Sequence, residues 1–218
     1  MPSSTAREPL SLAEPTPPRP DDSIALILDL ADQLRRESIE RGRRPVGLGV
    51  VVPGQVDVEA GVAVYSANLG WRDVPFARLL ADHTGLPTRL GHDVTAGGIA
   101  ELTYGGHEPA AARNSVVLQL GTDAVAARVW DEAVEALALA IATATMLLDP
   151  SVVVFSGGLS AAGEELVGPV RRALADKIVW RQAPSVVASA LGPRVGLAGA
   201  SITPWHAAGH DAPAEWID

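Results

Sequence analysis

Apolar positions recur along the chain in two rhythms, and the alternation between them predicts the elements. Ile24, Ile27, Leu28, Ala31 and Leu34 fall three or four apart, the spacing of a helix with one inward face. Asp22 or Ser23 is placed to cap that helix, and Gly42 to stop it after the basic turn Arg35–Arg41. Val46–Val52 is instead a continuous apolar run between Pro45 and Pro53, which predicts a strand buried on both faces. Gly61–Tyr65 predicts a second strand. Pro75 opens a helix that runs to Thr84 and is closed by Gly85, and Thr88–Leu90 predicts a short strand ahead of a helix over Val94–Tyr104.

The second half keeps the same rhythm. A strand over Asn114–Leu120 leads into a long Ala-rich helix, Ala124–Leu148, ended by Pro150. A buried-type strand at Ser151–Phe155, a helix at Ala161–Lys177, a strand at Val186–Ala190 and a helical segment at Leu197–Ala207 follow. Strand, helix, strand in this order predicts parallel strands joined by crossovers, so the fold class is α/β. Met1–Asp22 carries six prolines and no periodic face, and reads as an irregular lead-in; the tail from Gly209 has no period. The expected organisation is a lead-in over 1–22, one lobe over 23–113, a second over 114–208 and a tail over 209–218.

Composition then narrows the partners. The chain has 218 residues, 47% of them hydrophobic, enough to fill a sizeable core. Its net charge of −9 and the lack of any basic cluster with interleaved aromatics leave no footprint for nucleic acid. There are no cysteines, which excludes disulfides and thiolate metal sites and suits a reducing compartment. No apolar run reaches membrane-spanning length and the N-terminus lacks a secretory layout, so a cytoplasmic location and no membrane partner are expected.

One carboxylate stands out. Asp93 falls where the strand Thr88–Leu90 turns into the helix Val94–Tyr104, and there it serves either of two ends: bonding the orphan N–H groups of the helix start, or pointing from the end of a sheet to take a proton. Further positions carry candidate chemistry, most of them beside an ordinary structural reading. Pro53-Gly54 ends a strand where backbone can approach a ligand. Asn68 can donate and accept at once, as a sugar hydroxyl requires, but Asn is also a common turn former. His92 can bond a hydroxyl or stand solvated. Gly121-Thr122 and Gly157-Gly158 each lie between a strand and a helix, where bare backbone and the helix dipole can face an anion or a nucleotide, although helix–sheet packing also selects glycine there. A Walker A lysine motif and a complete GxGxxG are both absent.

Four segments in combination resemble the ROK family (repressor, open reading frame, kinase) in its glucokinase-like branch. They are GLGVVVPGQVD at Gly47–Asp57, YSANLGWRDVPF at Tyr65–Phe76, GHDVTAGGIAE at Gly91–Glu101 and LLDPSVVVFSGGLSAAGEELVGPVRRAL at Leu147–Leu174, within a similarity that spans most of Ile24–Ala200. The resemblance implies the actin-like ATPase (ribonuclease H-like) fold in truncated form, with a sugar-binding first lobe and a nucleotide-binding second lobe. It implies transfer of the ATP γ-phosphoryl to a hexose such as glucose, with Mg²⁺ on the nucleotide; no zinc is expected, because the chain has no cysteine for the family's zinc site. Asp93 would be the base, Asn68 and His92 would meet the sugar, and Pro53-Gly54 would form part of its cleft. Gly121-Thr122 would belong to a phosphate turn, and Gly157-Gly158 would lie against the adenosine.

The departures from the family are specific. Nothing in Met1–Asp22 resembles the Asp-Ile-Gly-Gly-Thr turn with which members open, and the long helix follows Asp123 directly in place of further glycines, a second strand, a Glu/His sugar pair and a cysteine-rich zinc site. His92 stands where Asn often precedes the base. Two readings therefore accompany the kinase: a non-catalytic remnant that binds sugar or associates with itself through exposed apolar sheet edges, and, ranked last, a transcriptional repressor, for which Met1–Asp22 is too short and proline-rich to be a helix-turn-helix.

Overall fold

The computed structural model describes residues 10–106, 114–120 and 127–207. In chain order its elements are α1 (Pro20–Glu40), β1 (Leu48–Val52), β2 (Gln55–Asp57), β3 (Val62–Ser66), β4 (Trp71–Val74), α2 (Phe76–Thr84), β5 (Thr88–His92) and α3 (Asp93–Tyr104). Then come β6 (Ser115–Gln119), α4 (Ala127–Leu148), β7 (Val152–Ser156), α5 (Glu164–Lys177), β8 (Ser185–Ala188) and α6 (Val195–Ala207). The chain forms two compact units, one of Met1–Ala96 with Leu197–Asp218 and one of Gly97–Gly196.

In the first unit β1 and β5 pair in parallel, Leu48 opposite Thr88 through Val52 opposite His92. β2, β3 and β4 form an antiparallel meander. Phe76, Leu80 and Leu90 are fully buried and pack with Val52, Ala63, Trp71 and Val74, so the helix that Gly85 closes in the left-handed conformation lies on this core as its periodicity requires. The α1 start lies earlier than Asp22 or Ser23: Pro20 occupies the first turn with Asp21 and Asp22 at the positive end of the dipole. Ser23 is not the cap. Its buried hydroxyl donates to the Pro20 carbonyl and accepts the Trp71 indole N–H at 2.9 Å, which ties α1 to β4. Pro75 likewise precedes α2 rather than opening it.

Two strands lie outside the periodic runs. β2 has three residues and β4 four, too short for alternation to register. The run Val46–Val52 gives a strand from Leu48, but only Val52 of β1 is buried, contrary to the expected burial on both faces; β1 has one strand neighbour among the described residues.

In the second unit β6, β7 and β8 run parallel with β7 central and buried at all five positions. α4 and α5 pack together, and Ala138, Ile141, Val153, Phe155, Val170 and Leu174 are at most 1% exposed. The expected helix at Ala161 is a 3-10 turn over Gly158–Ala162 followed by α5 from Glu164, and the last strand spans Ser185–Ala188 rather than Val186–Ala190. The units part inside α3 and inside α6, whereas the expected boundary fell at 113/114. Glycines explain why α6 belongs with the first unit. A side chain at Gly49 would meet the Ala200 carbonyl oxygen at 1.9 Å, and one at Gly199 would meet that of Ala96 at 2.1 Å, so only bare backbone allows this approach. No described helix is long and apolar enough to cross a membrane.

Candidate functional site

Parallel pairing makes β1 and β5 end at the same edge, and in open α/β sheets that carboxyl edge is where ligands bind. Val52 and His92 are partners on the last rung, so Pro53-Gly54 and His92-Asp93 leave the sheet side by side. Gly54 adopts φ +105°, and a Cβ there would meet the Tyr65 carbonyl oxygen at 2.2 Å and Ser66 Cα at 2.9 Å. Gly54 thus holds the end of β3 close to the end of β1. Asn68 lies two residues beyond Ser66, exposed in the turn that joins β3 to β4. The four positions expected at a sugar cleft therefore gather around one end of the first unit.

Asp93 is the first residue of α3. Its Oδ1 accepts the Val94 N–H at 2.8 Å, and His92 Nε2 lies 3.6 Å from the same oxygen. Oδ2 has no partner among the described residues, and the side chain is 32% exposed. A carboxylate so placed keeps one oxygen free for a hydroxyl proton, while His92, 34% exposed, lies beside it. Simple capping would direct the carboxylate to the second or third N–H of the helix, and here it engages only the first.

In the second unit the corresponding edge is formed by β6 and β7, with Gln119 opposite Ser156 on the last rung. Gly157, at φ +84°, approaches Leu120 so closely that a Cβ would lie 2.6 Å from the Leu120 oxygen. Gly157-Gly158 opens the 3-10 turn in which the Ser160 hydroxyl and N–H both donate to the Gly157 carbonyl. Gly121 and Thr122 lie outside the described residues, directly after Leu120.

Sequence reasoning missed the polar groups beneath this edge. Gln119 Oε1 and Ser156 Oγ are buried without a hydrogen-bond partner among the described residues, and Glu101, fully buried on α3, accepts a hydrogen bond from the Ser189 hydroxyl. The Glu101 signal was present: it shares the inward stripe Ala96, Gly97, Ala100, Glu101 at helical spacing. Gln119 Oε1 faces α3, where a Cβ at Gly97 would lie 3.0 Å from it, and buried oxygens of this kind are what an ordered water satisfies. Among the described residues no three His, Asp or Glu side chains converge as a metal site.

The model of the ROK family matches residues 7–123 and 119–204. A glucokinase from Halalkalibacterium halodurans is 30% identical over 77 residues, 35% of this chain and 23% of that protein. A xylose repressor from Caldicellulosiruptor bescii is 26% identical over 82 residues, 38% of this chain and 21% of that protein. The matched stretches thus span under a quarter of these curated relatives' own length. Among solved structures, a ROK family glucokinase from Streptomyces griseus, crystallised with glucose and AMPPNP, superposes with a TM-score of 0.64 at 18% identity, covering 85% of this chain and 88% of that one. This likeness shows the fold, α/β of the actin-like ATPase type.

Proposed function

The chain belongs to the ROK family, and from that footing we propose that it binds a hexose at the carboxyl edge of β1 and β5 and phosphorylates it from ATP, with Asp93 as general base. The observation that carries the reading is the Asp93 carboxylate, delivered to the same edge as Pro53-Gly54 with Oδ2 unengaged. Gly54 and the Asn68 turn bound the sugar, Asn68 supplying a donor and an acceptor to its hydroxyls. Asp93 takes the proton from the attacking hydroxyl, a role typically worth about 10²–10⁴ in rate. His92 orients that carboxylate from 3.6 Å.

ATP supplies the phosphoryl group and Mg²⁺ its charge neutralisation when bound. Gly157-Gly158 is the backbone surface for the adenosine, and Gly121-Thr122 follows the strand next to it. Phosphoryl transfer rests mostly on alignment and charge stabilisation, so these two turns matter as much as the base.

A coupled assay of ATP turnover over a panel of hexoses tests the reading. Turnover that Asp93→Asn abolishes, with glucose still raising the melting temperature of the variant, supports it. Turnover no higher than that of Asp93→Asn, together with no thermal shift by sugar or Mg-ATP, overturns it. A second reading, sugar binding without phosphoryl transfer, draws on the xylose repressor among the relatives. A thermal shift by xylose or glucose without turnover supports it.

A further inference from the structure

α6 meets β1 over bare backbone, and a hollow opens beside the contact. A side chain at Gly49 would lie 1.9 Å from the Ala200 carbonyl oxygen and 2.7 Å from Pro204, and one at Gly47 would lie 3.1 Å from Pro204. The adjoining cavity, of about 560 Å³, is walled by the chain leading into β1 on one side and by α6 on the other. That is the size of a small-molecule site. It lies wholly within the first unit, at the end of β1 opposite Asp93: Gly47 stands about 16 Å from Val52, at about 3.3 Å per residue.

The first wall is held in place. Gly42 turns the chain out of α1 at φ +71°, the Arg43 N–H donates to the Ser38 carbonyl at 2.9 Å, and the Leu48 N–H donates to the Pro87 carbonyl at 2.8 Å. Two kinds of surface then face the cavity. Val46, Leu197, Pro204 and Trp205 are apolar, with Val46 and Leu197 48% and 61% exposed. Both charges among the described lining residues are positive, Arg43 and Arg44, in a chain whose net charge is −9.

The two surfaces together narrow the ligand. A guanidinium offers a planar fork that matches a carboxylate or a phosphate, and an indole beside aliphatic side chains suits a ring or a branched chain. A bare inorganic anion would leave Val46 and Leu197 wet, and a neutral hydrocarbon would gain nothing from the arginines. We propose that this cavity binds a small organic anion, its carboxylate or phosphate on Arg44 and Arg43 and its aromatic or branched body against Val46, Leu197 and Trp205.

The inference goes beyond the sugar reading and does not depend on it, and its test uses no sugar and no ATP. Amide resonances of the full chain are followed by NMR during titration with phenylbutyrate or with phenyl phosphate. At least one should give saturable shifts centred on residues 43–49 and 197–205, and the tighter of the two tells carboxylate from phosphate. Phenylbutyramide keeps the body without the charge, and acetate and inorganic phosphate keep a charge without the body. Each should bind at least about tenfold more weakly. Arg44→Gln, at an exposed position, should weaken the preferred anion at least about tenfold, and Leu197→Asp should abolish its binding, both with unchanged circular dichroism. No saturable shift, shifts centred elsewhere, or equal affinity for the neutral amide or for the bare ions overturns the proposal. Should a variant fail to fold, the comparison of probes on the unaltered chain decides alone.

Discussion

Substituting alanine for Gly54 asks whether the β1 and β3 ends must touch for the site edge to form. Two costs add. At φ +105° any L side chain is strained, at about 1–3 kcal/mol. The new Cβ would also lie 2.2 Å from the Tyr65 carbonyl oxygen and 2.9 Å from Ser66 Cα, both backbone atoms that cannot rotate aside. Relief requires the β2–β3 hairpin to part from the end of β1, so a loss of about 3 kcal/mol is expected. Gly85 is the internal control: it too has positive φ, +71°, but a Cβ there would meet nothing within 4 Å. Gly85→Ala should therefore cost only the conformational part, about 1 kcal/mol. Urea unfolding followed by tryptophan fluorescence and circular dichroism reads both variants. With a slope near 2 kcal/mol/M, Gly54→Ala should lower the midpoint by about 1.5 M and Gly85→Ala by about 0.5 M. Equal losses in the two variants would refute the collision and, with it, the claim that Gly54 sets the cleft.

Asp93→Asn should lower phosphoryl transfer by about 10²–10⁴ while leaving the urea midpoint within experimental error, since the side chain is partly exposed and its one backbone bond can be kept by the amide oxygen. Phe155→Ala empties a fully buried position in the central strand of the second unit, and calorimetry should show a loss of about 3–5 kcal/mol. Trp71→Phe removes the indole donor to Ser23 at 2.9 Å and should cost about 1–2 kcal/mol in the same urea experiment. Asp32 is held below the ordinary carboxylate range by the Arg35 hydrogen bond and by the Arg36 charge, against some desolvation. Its folded-state value is depressed, so its contribution is complete above the ordinary range and disappears only as pH falls through the lowered value. Asp32→Asn should make the pH dependence of stability shallower between about pH 5 and 2.

The helices were readable because their signals are local. Gly85 closes α2 in the left-handed conformation, and the inward stripe of α1 follows from spacing alone. Asp93 could be placed at a strand-to-helix turn by the same means. Its neighbours could not: that Pro53-Gly54 lies beside it depends on the parallel register of β1 with β5, which no local pattern encodes. β2 and β4 escaped because a strand of three or four residues offers too few alternations to stand out from a loop.

Glu101 and β1 illustrate two further limits, and they differ in kind. Glu101 was missed through residue type: a carboxylate on an inward helical stripe reads as an interruption of that stripe until a partner such as Ser189 is known. β1 was misjudged through dimension. The apolar pattern along a strand records what lies above and below it, since side chains alternate between the two faces. It carries nothing about the lateral direction, because every residue presents the same N–H and C=O to a neighbouring strand. A continuous run such as Val46–Val52 therefore specifies two covered faces whether or not both edges are paired. β1, half-buried with one strand neighbour among the described residues, has the composition of a strand covered on both faces, and its sequence alone does not record that difference.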